Sequence, residues 1–334
     1  MYSQSDISVI IPVFNGAKYV GNCLDSLLAQ ERKPCEIIVV DNGSTDDTLA
    51  VVHRYKEIRL LEELIPGASR ARNKGAKEAK GSFLAFLDVD CQARRNWIKE
   101  AWRILSCHGA PDGLVGYPQG VNRNLWASFF QRASDEFFVE IQAEDGSLLK
   151  IDSKNFFIKR KVFWEIGGFD TSLGNSEDAD LGIRLHHANY RIFFAPSVLV
   201  SHLNPTSLSS RLSVRREQGF FDYRIFRKVP LEEAVKYYPA FNRAYNRYIF
   251  LRNPPPLKTL LFFLTFLAEF GIHTSRSFLL VLRLLGLSRF LYPLYHLLMA
   301  FAIFQGKLYA RRVEVGYITL GQVAASGKFS RRLT

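Results

Sequence analysis

The chain is poor in cysteine: four residues (Cys23, Cys35, Cys91 and Cys107) occur among 334. None forms a C-x-x-C pair or a metal-ligand spacing, so neither a disulfide framework nor a structural zinc site is supported. Ordinary buried thiols in a reducing compartment are expected instead. The first residues, MYSQSDISVIIPVF, lack a basic leader and a long apolar segment, so no secretory signal is expected. G-x-G-x-x-G and G-x-x-x-x-G-K-[ST] are both missing, which leaves a dinucleotide-binding turn and a P-loop without support. No uninterrupted apolar run reaches the roughly 20 residues of a single-pass helix.

What is present is unevenly spread. A hydrophobic fraction of 48% is enough for a large core, and 334 residues suit a catalytic domain with an appendage. Residues 1–204 carry 24 Lys+Arg against 26 Asp+Glu, whereas residues 205–334 carry 20 against 6. The net charge of +12 therefore resides in the C-terminal part. Such a field attracts phosphate-bearing partners, either nucleic acid or an anionic membrane.

The N-terminal half alternates strand and helix patterns. ISVIIPVF (7–14) is a β-branched apolar run closed by Asn15-Gly16, and Val20, Cys23, Leu24, Leu27 and Leu28 then recur at helical spacing. A second strand spans Ile37 to Val40 and breaks into DNGSTDDT, where Ser44 or Thr45 is expected to cap a helix with Asp46 and Asp47 in its first turn. SRARNKGAKEAKG (69–81) reads as a helix and FLAFLDVD as a third buried strand. This alternation is that of an α/β fold with a parallel sheet, whose ligands bind beyond the C-terminal strand ends. Asp41, Asp88 and Asp90 collect at that edge.

A D-x-D triplet is a weak signal, because it also arises in ordinary turns. Its functional reading is a hard divalent cation that shares carboxylate oxygens with substrate phosphates. Further on, Glu177, Asp178 and Asp180 open an apolar-periodic helix through Leu181, Ile183 and Leu185. The helix dipole alone would favour acids there. Adjacent Glu177 and Asp178 nevertheless point in different directions, and Gly167, Gly168 and Gly174 nearby indicate a closely approached backbone.

Four segments in order carry a resemblance: ISVIIPVFNGAKYVGNCLDSLLAQ, EIIVVDNGSTDDT, PGASRARNKGAKEAKGSFLAFLDVD and IKRKVFWEIGGFDTSLGNSEDADLGIRLHHANYRIFFAP. Over residues 6–205 the chain resembles a family 2 glycosyltransferase of GT-A fold. The resemblance implies inverting transfer of a sugar from a nucleoside diphosphate donor, a UDP-sugar being favoured, to an acceptor hydroxyl. By the same resemblance, Pro12 and Asn15 shape the base-binding edge, Asp41 bonds the base and Arg72 lies near the nucleotide. Asp88 and Asp90 match the D-x-D, with Asp90 as ligand to Mn²⁺ or Mg²⁺ and Asp88 open to the ribose. Asp178 matches the catalytic base, Glu177 shapes the acceptor side, and His202 matches a histidine near the metal. Many relatives carry two successive acids where VVDNGSTD has one, and a further aspartate where Cys91 stands.

The expected organisation is a catalytic domain (1–205), basic acceptor-side helices (206–253), an apolar helical region associated with the membrane (254–312) and a basic tail (313–334). Arg215 and Arg216, in SSRLSVRREQGFFDYRIFRK, are candidates to close over the donor diphosphate, a solvated basic helix being the alternative. The runs at 257–271, 278–287 and 290–306 are short for spans and are punctuated by Arg276, Arg283 and Arg289, with Lys307, Arg311 and Arg312 following. They read as segments lying at an anionic leaflet, the alternatives being a helical hairpin on the catalytic domain or a homo-oligomer interface. No nucleic-acid module accompanies the charge, so nucleic acid is not expected. The expected acceptor is a lipid-linked or cell-envelope glycan, at the cytoplasmic face of the membrane. The competing functions are a catalytically inactive scaffold of the same fold and a nucleotidyltransferase, the latter leaving Glu177 and Asp178 without a role.

Overall fold

A computed structural model describes residues 6–227, 268–275, 277, 291–314 and 318–326. The chain divides into two compact units, one formed by Met1–Arg123 and Gln131–Asn204, the other by Asn124–Phe130 and Pro205–Thr334.

The first unit contains β1 (Ile7–Val13), α1 (Ala17–Leu28), β2 (Glu36–Asp41), α2 (Thr48–Val52), β3 (Arg59–Glu62), α3 (Ala68–Glu78), β4 (Phe83–Leu87), β5 (Cys91–Ala93) and α4 (Trp97–Leu105). These are followed by β6 (Gly113–Gly120), α5 (Leu125–Glu140, of which Gln131 onward belongs here), β7 (Asn155–Lys159), α6 (Arg160–Glu165), α7 (Glu177–His187) and β8 (Ile192–His202). The sheet runs β3-β2-β1-β4-β7-β6-β8-β5. β3, β2, β1 and β4 are mutually parallel, as the buried apolar strands predict. β7 then enters antiparallel between β4 and β6, β8 runs parallel to β6, and β5 pairs antiparallel with β8. The sheet is thus mixed, with helices on both faces.

Two apolar cores result, one per face of the sheet. Ile7, Val9, Ile11, Leu24, Val39, Leu87 and Trp97 belong to the first; Ile10, Ile38, Val40, Phe86, Phe156, Phe163 and Phe169 belong to the second. The alternation of strand side chains distributes β1 between them. In the second core Phe86 meets Phe169 edge-on at 5.2 Å and Phe163 at 5.3 Å, so an aromatic cluster lies beneath the strand-end loops.

The turn after β2 differs from the expected capping. Asp47, not Ser44 or Thr45, occupies the N-cap of α2, and Asp46 Oδ1 accepts the Thr48 N–H at 3.1 Å. Ser44 and Thr45 instead fasten this turn to the one after β1: Asn15 N–H donates to Ser44 Oγ at 2.9 Å, and Thr45 N–H donates to Asn15 Oδ1 at 2.8 Å. Asn15 has φ 51°, a left-handed conformation that asparagine tolerates better than most residues.

In the second unit, α8 (Leu208–Phe226) packs against α9 (Leu291–Glu314), and α10 (Leu320–Ala325) follows. A Cβ at Gly219 would lie 2.0 Å from the Ile303 carbonyl oxygen, and one at Gly306 would lie 1.9 Å from that of Arg216, so both glycines are required by the close crossing. Among the described residues, no helix is long and apolar enough to cross a membrane. Residues 228–253 of the expected basic helices, 254–267, 276 and 278–290 of the apolar region, and 315–317 and 327–334 of the tail lie outside the described residues. From Leu291 on, the run at 290–306 falls on α9. Lys307 and Arg311, expected to flank that run at a leaflet, are buried, and Arg311 donates to Tyr223 Oη at 3.2 Å and pairs with Glu314.

α3 lies close to the sheet because Gly75 faces β1 and β2; a Cβ there would sit 2.5 Å from Ile10 Cγ2 and 3.1 Å from Val40 Cγ2. Gly75→Ala is expected to cost about 1–3 kcal/mol through overpacking, despite the better helix propensity of alanine. Urea unfolding of the purified variant checks this; unchanged stability would mean that α3 has room to shift.

Candidate active site

Each acidic residue of the site is delivered by a strand end or a helix start. Asp41 terminates β2, and its Oδ2 accepts the backbone N–H groups of Gly43 (3.1 Å) and Ser44 (3.0 Å). Its Oδ1 is buried and has no hydrogen-bond partner among the described residues. Pro12 lies in β1 opposite Val40 of β2, next to this carboxylate in the sheet. Beyond β4, Cys91 N–H closes a turn onto the Asp88 carbonyl at 3.0 Å. The turn separates the two D-x-D carboxylates as a straight strand could not.

Register then brings Asp90 to His202. In the β5–β8 pair Cys91 lies opposite His202, and in the β6–β8 pair Gly120 does. The β6–β8 register shifts between Gly116 and Tyr117, so that β8 passes over residues 196–198 before pairing resumes. His202 Nε2 consequently stands 3.6 Å from Asp90 Oδ2. Asp90, Cys91 and His202 form the one group of potential metal ligands found among the described residues, with donor atoms within 4.8 Å of one another.

The donor set suits a divalent cation. Burial raises the Asp90 pKa, with Asp88 adding to the effect while His202 and Lys154 oppose it; a cation would relieve this carboxylate. Burial, with Asp90 and Asp88, also pushes the Cys91 thiol well up, which keeps it neutral. Asp90 and His202 are therefore the ligands that fit Mn²⁺ or Mg²⁺, and Cys91 is a packing residue.

Arg72 joins the two acidic segments. It is buried on α3, and its Nη2 donates to Asp88 Oδ1 while its Nη1 donates to Glu177 Oε1, both at 2.8 Å. Its guanidinium also stands 5.5 Å from the centre of the Phe169 ring. Burial opposes the charge, but Asp88 and Glu177 outweigh it and raise the pKa above the ordinary arginine value. The neighbouring Asn73 clamps Phe169 through Nδ2 to its carbonyl (2.8 Å) and through Oδ1 from its N–H (3.0 Å). Gly168, at φ 65°, allows this approach, since a Cβ there would lie 2.9 Å from Asn73 Oδ1.

α7 begins at this clamp. Its N-cap, Ser176, is buried at φ 66°, an uncommon conformation for a residue with a Cβ and one often found where strain serves a site. Glu177 turns to Arg72 and Asp178 turns away, as their adjacency predicts. Asp180 holds the backbone instead: it pairs with Arg184 at 2.6 Å, and Arg184 donates to the carbonyls of Ile166 (2.6 Å) and Gly168 (2.8 Å). Burial, then the charges of Glu177 and Asp152, push Asp178 up to about 7, against an opposing influence of Lys154.

Lys154 and Asp152 are participants that motif reading did not single out. They are bonded to each other just before β7, and the Lys154 carbonyl accepts the Asp88 N–H at 3.2 Å. Burial works against the Lys154 ammonium, but Asp152 and Asp88 raise its pKa on balance. A cation thus stands among four carboxylates, where its sign lowers the mutual repulsion.

The candidate arginines of α8 lie in the second unit. Arg215 Nη1 donates to Gln218 Oε1 at 2.9 Å, and burial lowers the Arg215 pKa. Arg216 Nε donates to Gln305 Oε1 of α9 at 2.5 Å.

Residues 8–167 match the family model described as glycosyl transferase family 2. That segment is a family 2 glycosyltransferase domain. Glycosyltransferase AglE of Haloferax volcanii is 30% identical over 214 residues, which cover 59% of this chain and 66% of that protein. The match to an uncharacterized glycosyltransferase of Rickettsia bellii is 29% identical and covers 34% of that protein. The chain thus spans between one third and two thirds of these two relatives' lengths. Among solved structures, the mannosyltransferase PcManGT from Pyrobaculum calidifontis, in complex with GDP-Man and Mn²⁺, aligns with a TM-score of 0.61 at 20% identity, over 91% of this chain and 87% of that one. TarS residues 1–349 of Staphylococcus aureus, in complex with UDP-GlcNAc, align with a TM-score of 0.52 at 20% identity, over 93% and 92%. These alignments show that the chain has the GT-A fold.

Asp178 supplies a stability test. Its folded pKa of about 7 exceeds the unfolded value of 3.8, so its favourable contribution is complete below about pH 4 and is lost as pH rises through 7. Asp178→Asn removes an ionisation that opposes folding. The variant is expected to melt above the wild type at pH 8 and close to it at pH 4, as thermal unfolding at both values will show. An equal difference at the two pH values would contradict the assigned environment.

Proposed function

We propose that this glycosyltransferase moves a sugar from a nucleoside diphosphate donor to an acceptor hydroxyl with inversion, Asp178 acting as general base. The observation that carries the reading is the Asp178 carboxyl, raised to about 7 and tied through Glu177, Arg72 and Asp88 to the turn that bears Asp90. A base with a pKa near the working pH combines an ionised fraction with real basicity. Asp178 takes the acceptor O–H proton as the acceptor oxygen bonds to the anomeric carbon, and the bond from that carbon to the diphosphate oxygen breaks on the opposite face.

Asp90 and His202 would hold the divalent cation, which when bound offsets the charge that grows on the departing diphosphate. The GDP-Man and Mn²⁺ bound to PcManGT support this reading. The buried, unpartnered Asp41 Oδ1 supports a nucleobase N–H donor between the turns after β1 and β2, shaped by Pro12 and Asn15. The imide N–H of uracil satisfies it with one bond, and the UDP-GlcNAc bound to TarS is consistent with a UDP-sugar. The basic second unit, with 20 Lys+Arg against 6 Asp+Glu over residues 205–334, supports an acceptor displayed at an anionic membrane surface, a lipid-linked or envelope glycan.

Asp178→Asn is expected to bind UDP and Mn²⁺ as the wild type does, yet to lose about 10²–10⁴-fold in transfer rate. Retention of the rate would remove Asp178 from the mechanism. In the wild type kcat/KM is expected to rise with pH through about 7, where Asp178 becomes ionised. Lys154→Met removes a charge that lowers the Asp178 pKa, so the acid limb of the pH–rate profile is expected to move to higher pH. A shift to lower pH, or none, would show that Lys154 does not act on this base.

A further inference from the structure

His202 is joined on its far side to a chain of side-chain amides. Its Nδ1 lies 2.7 Å from Asn204 Oδ1, and Asn204 Nδ2 donates to Gln131 Oε1 at 3.0 Å. The chain ends on groups whose polarity is fixed. Gly120 N–H, which can only donate, donates to Gln131 Oε1 at 2.6 Å, while Gln131 Nε2 donates to the Asp135 carboxylate (2.8 Å) and the Pro118 carbonyl (3.3 Å). Turning the Gln131 amide over would oppose N–H to N–H at Gly120 and oxygen to oxygen at Asp135. The orientation of Gln131 therefore dictates that of Asn204, whose oxygen must face His202. Of the two neutral tautomers only the one protonated on Nδ1 satisfies that oxygen, and its Nε2, the nitrogen facing Asp90, carries the lone pair.

The surroundings hold this chain in place. Asn204 is buried, and its backbone is gripped at both ends by Asn122, whose Oδ1 accepts the Asn204 N–H at 3.0 Å and whose Nδ2 donates to its carbonyl at 2.7 Å. A Cβ at Gly120 would lie 2.0 Å from Asn204 Nδ2 and 2.7 Å from Gln131 Oε1, so glycine is needed for the amides to close up. An imidazole not so constrained favours the opposite tautomer, with the proton on Nε2, which has no lone pair for a cation there.

We propose that Gln131 and Asn204 are positioning residues that set the tautomer of His202, so that Nε2 is presented as a cation ligand before any cation arrives. The proposal rests on the reading of Asp90 and His202 as a cation site. It adds that this site is prepared by a polarity signal running from the Gly120 backbone through two amides. Both act through His202.

The test reads the tautomer directly in metal-free protein, by long-range ¹H–¹⁵N correlation of the histidine rings, with the His202 signals identified by their loss in His202→Gln. The wild type is expected to show the Nδ1–H form, and an Nε2–H form would overturn the proposal. Asn204→Leu and Gln131→Met are expected to shift His202 toward Nε2–H and to weaken binding of Mn²⁺ alone by about 10–100-fold, read from the paramagnetic resonance of the unbound ion. Asn204→Asp breaks the bond to Gln131 but retains an acceptor for Nδ1–H, so it is expected to keep both the tautomer and the affinity. A residue that merely supported the fold would lose affinity in all three variants alike, with the tautomer unmoved, and that result would also overturn the proposal. If His202→Gln leaves Mn²⁺ affinity unchanged, the cation site itself is misassigned, while the ring spectra still decide whether the amides set the tautomer.

Discussion

The site depends on one guanidinium. Arg72 is buried between Asp88 and Glu177 at 2.8 Å from each, and these acids belong to segments that share no strand or helix. Two carboxylates brought this close to one another would repel without a cation between them. With Arg72 in place, the turn after β4 and the start of α7 are held together, and Asp90 and Asp178 are carried by the two held segments. Removing one member of such a buried set would cost about 3–5 kcal/mol, because the remaining charges lose their compensation.

The supports of Arg72 explain much of the nearby sequence. Gly75 lets α3 lie against β1 and β2, Phe169 provides a ring beneath the guanidinium, and Asn73 clamps Phe169 from the same helix. Asp180 and Arg184 grip residues 166 and 168 from the other side. What remains unbalanced is Asp178, raised to about 7, and Asp90, raised by burial. On the proposed function, which takes a proton and binds a cation here, such groups would be kept at some cost in stability, as is general where function needs strained or uncompensated charge.

The sequence made the edge legible but not its depth. Apolar runs ending in Asp41 and in Asp88-Val89-Asp90 located two strand ends, and the acids before Leu181 located a helix start, because these signals are local. Lys154, Asp152, Gln131 and Asn204 carry no local signal. They reach the site because β7 inserts beside β4, β5 pairs with β8, and the β6–β8 register shifts near Gly116. Ser44 and Thr45 looked like caps by composition, yet a long-range partner, Asn15, takes both. Among the C-terminal residues, the run at 290–306 reads as apolar, and its continuation in α9 nevertheless buries Lys307 and Arg311, since the polarity of a neighbouring helix is invisible to hydropathy.

The role proposed for the carboxylates at the strand ends is that of a cation-dependent nucleotide site. Calorimetric titration of the purified protein with UDP, GDP and dTDP, with and without Mn²⁺ and alongside Asp90→Ala, tests it most directly. Binding of UDP that requires Mn²⁺ and is lost in Asp90→Ala is the predicted result. Folded protein that binds none of the three nucleotides, or binds UDP equally well without Mn²⁺, would contradict the account.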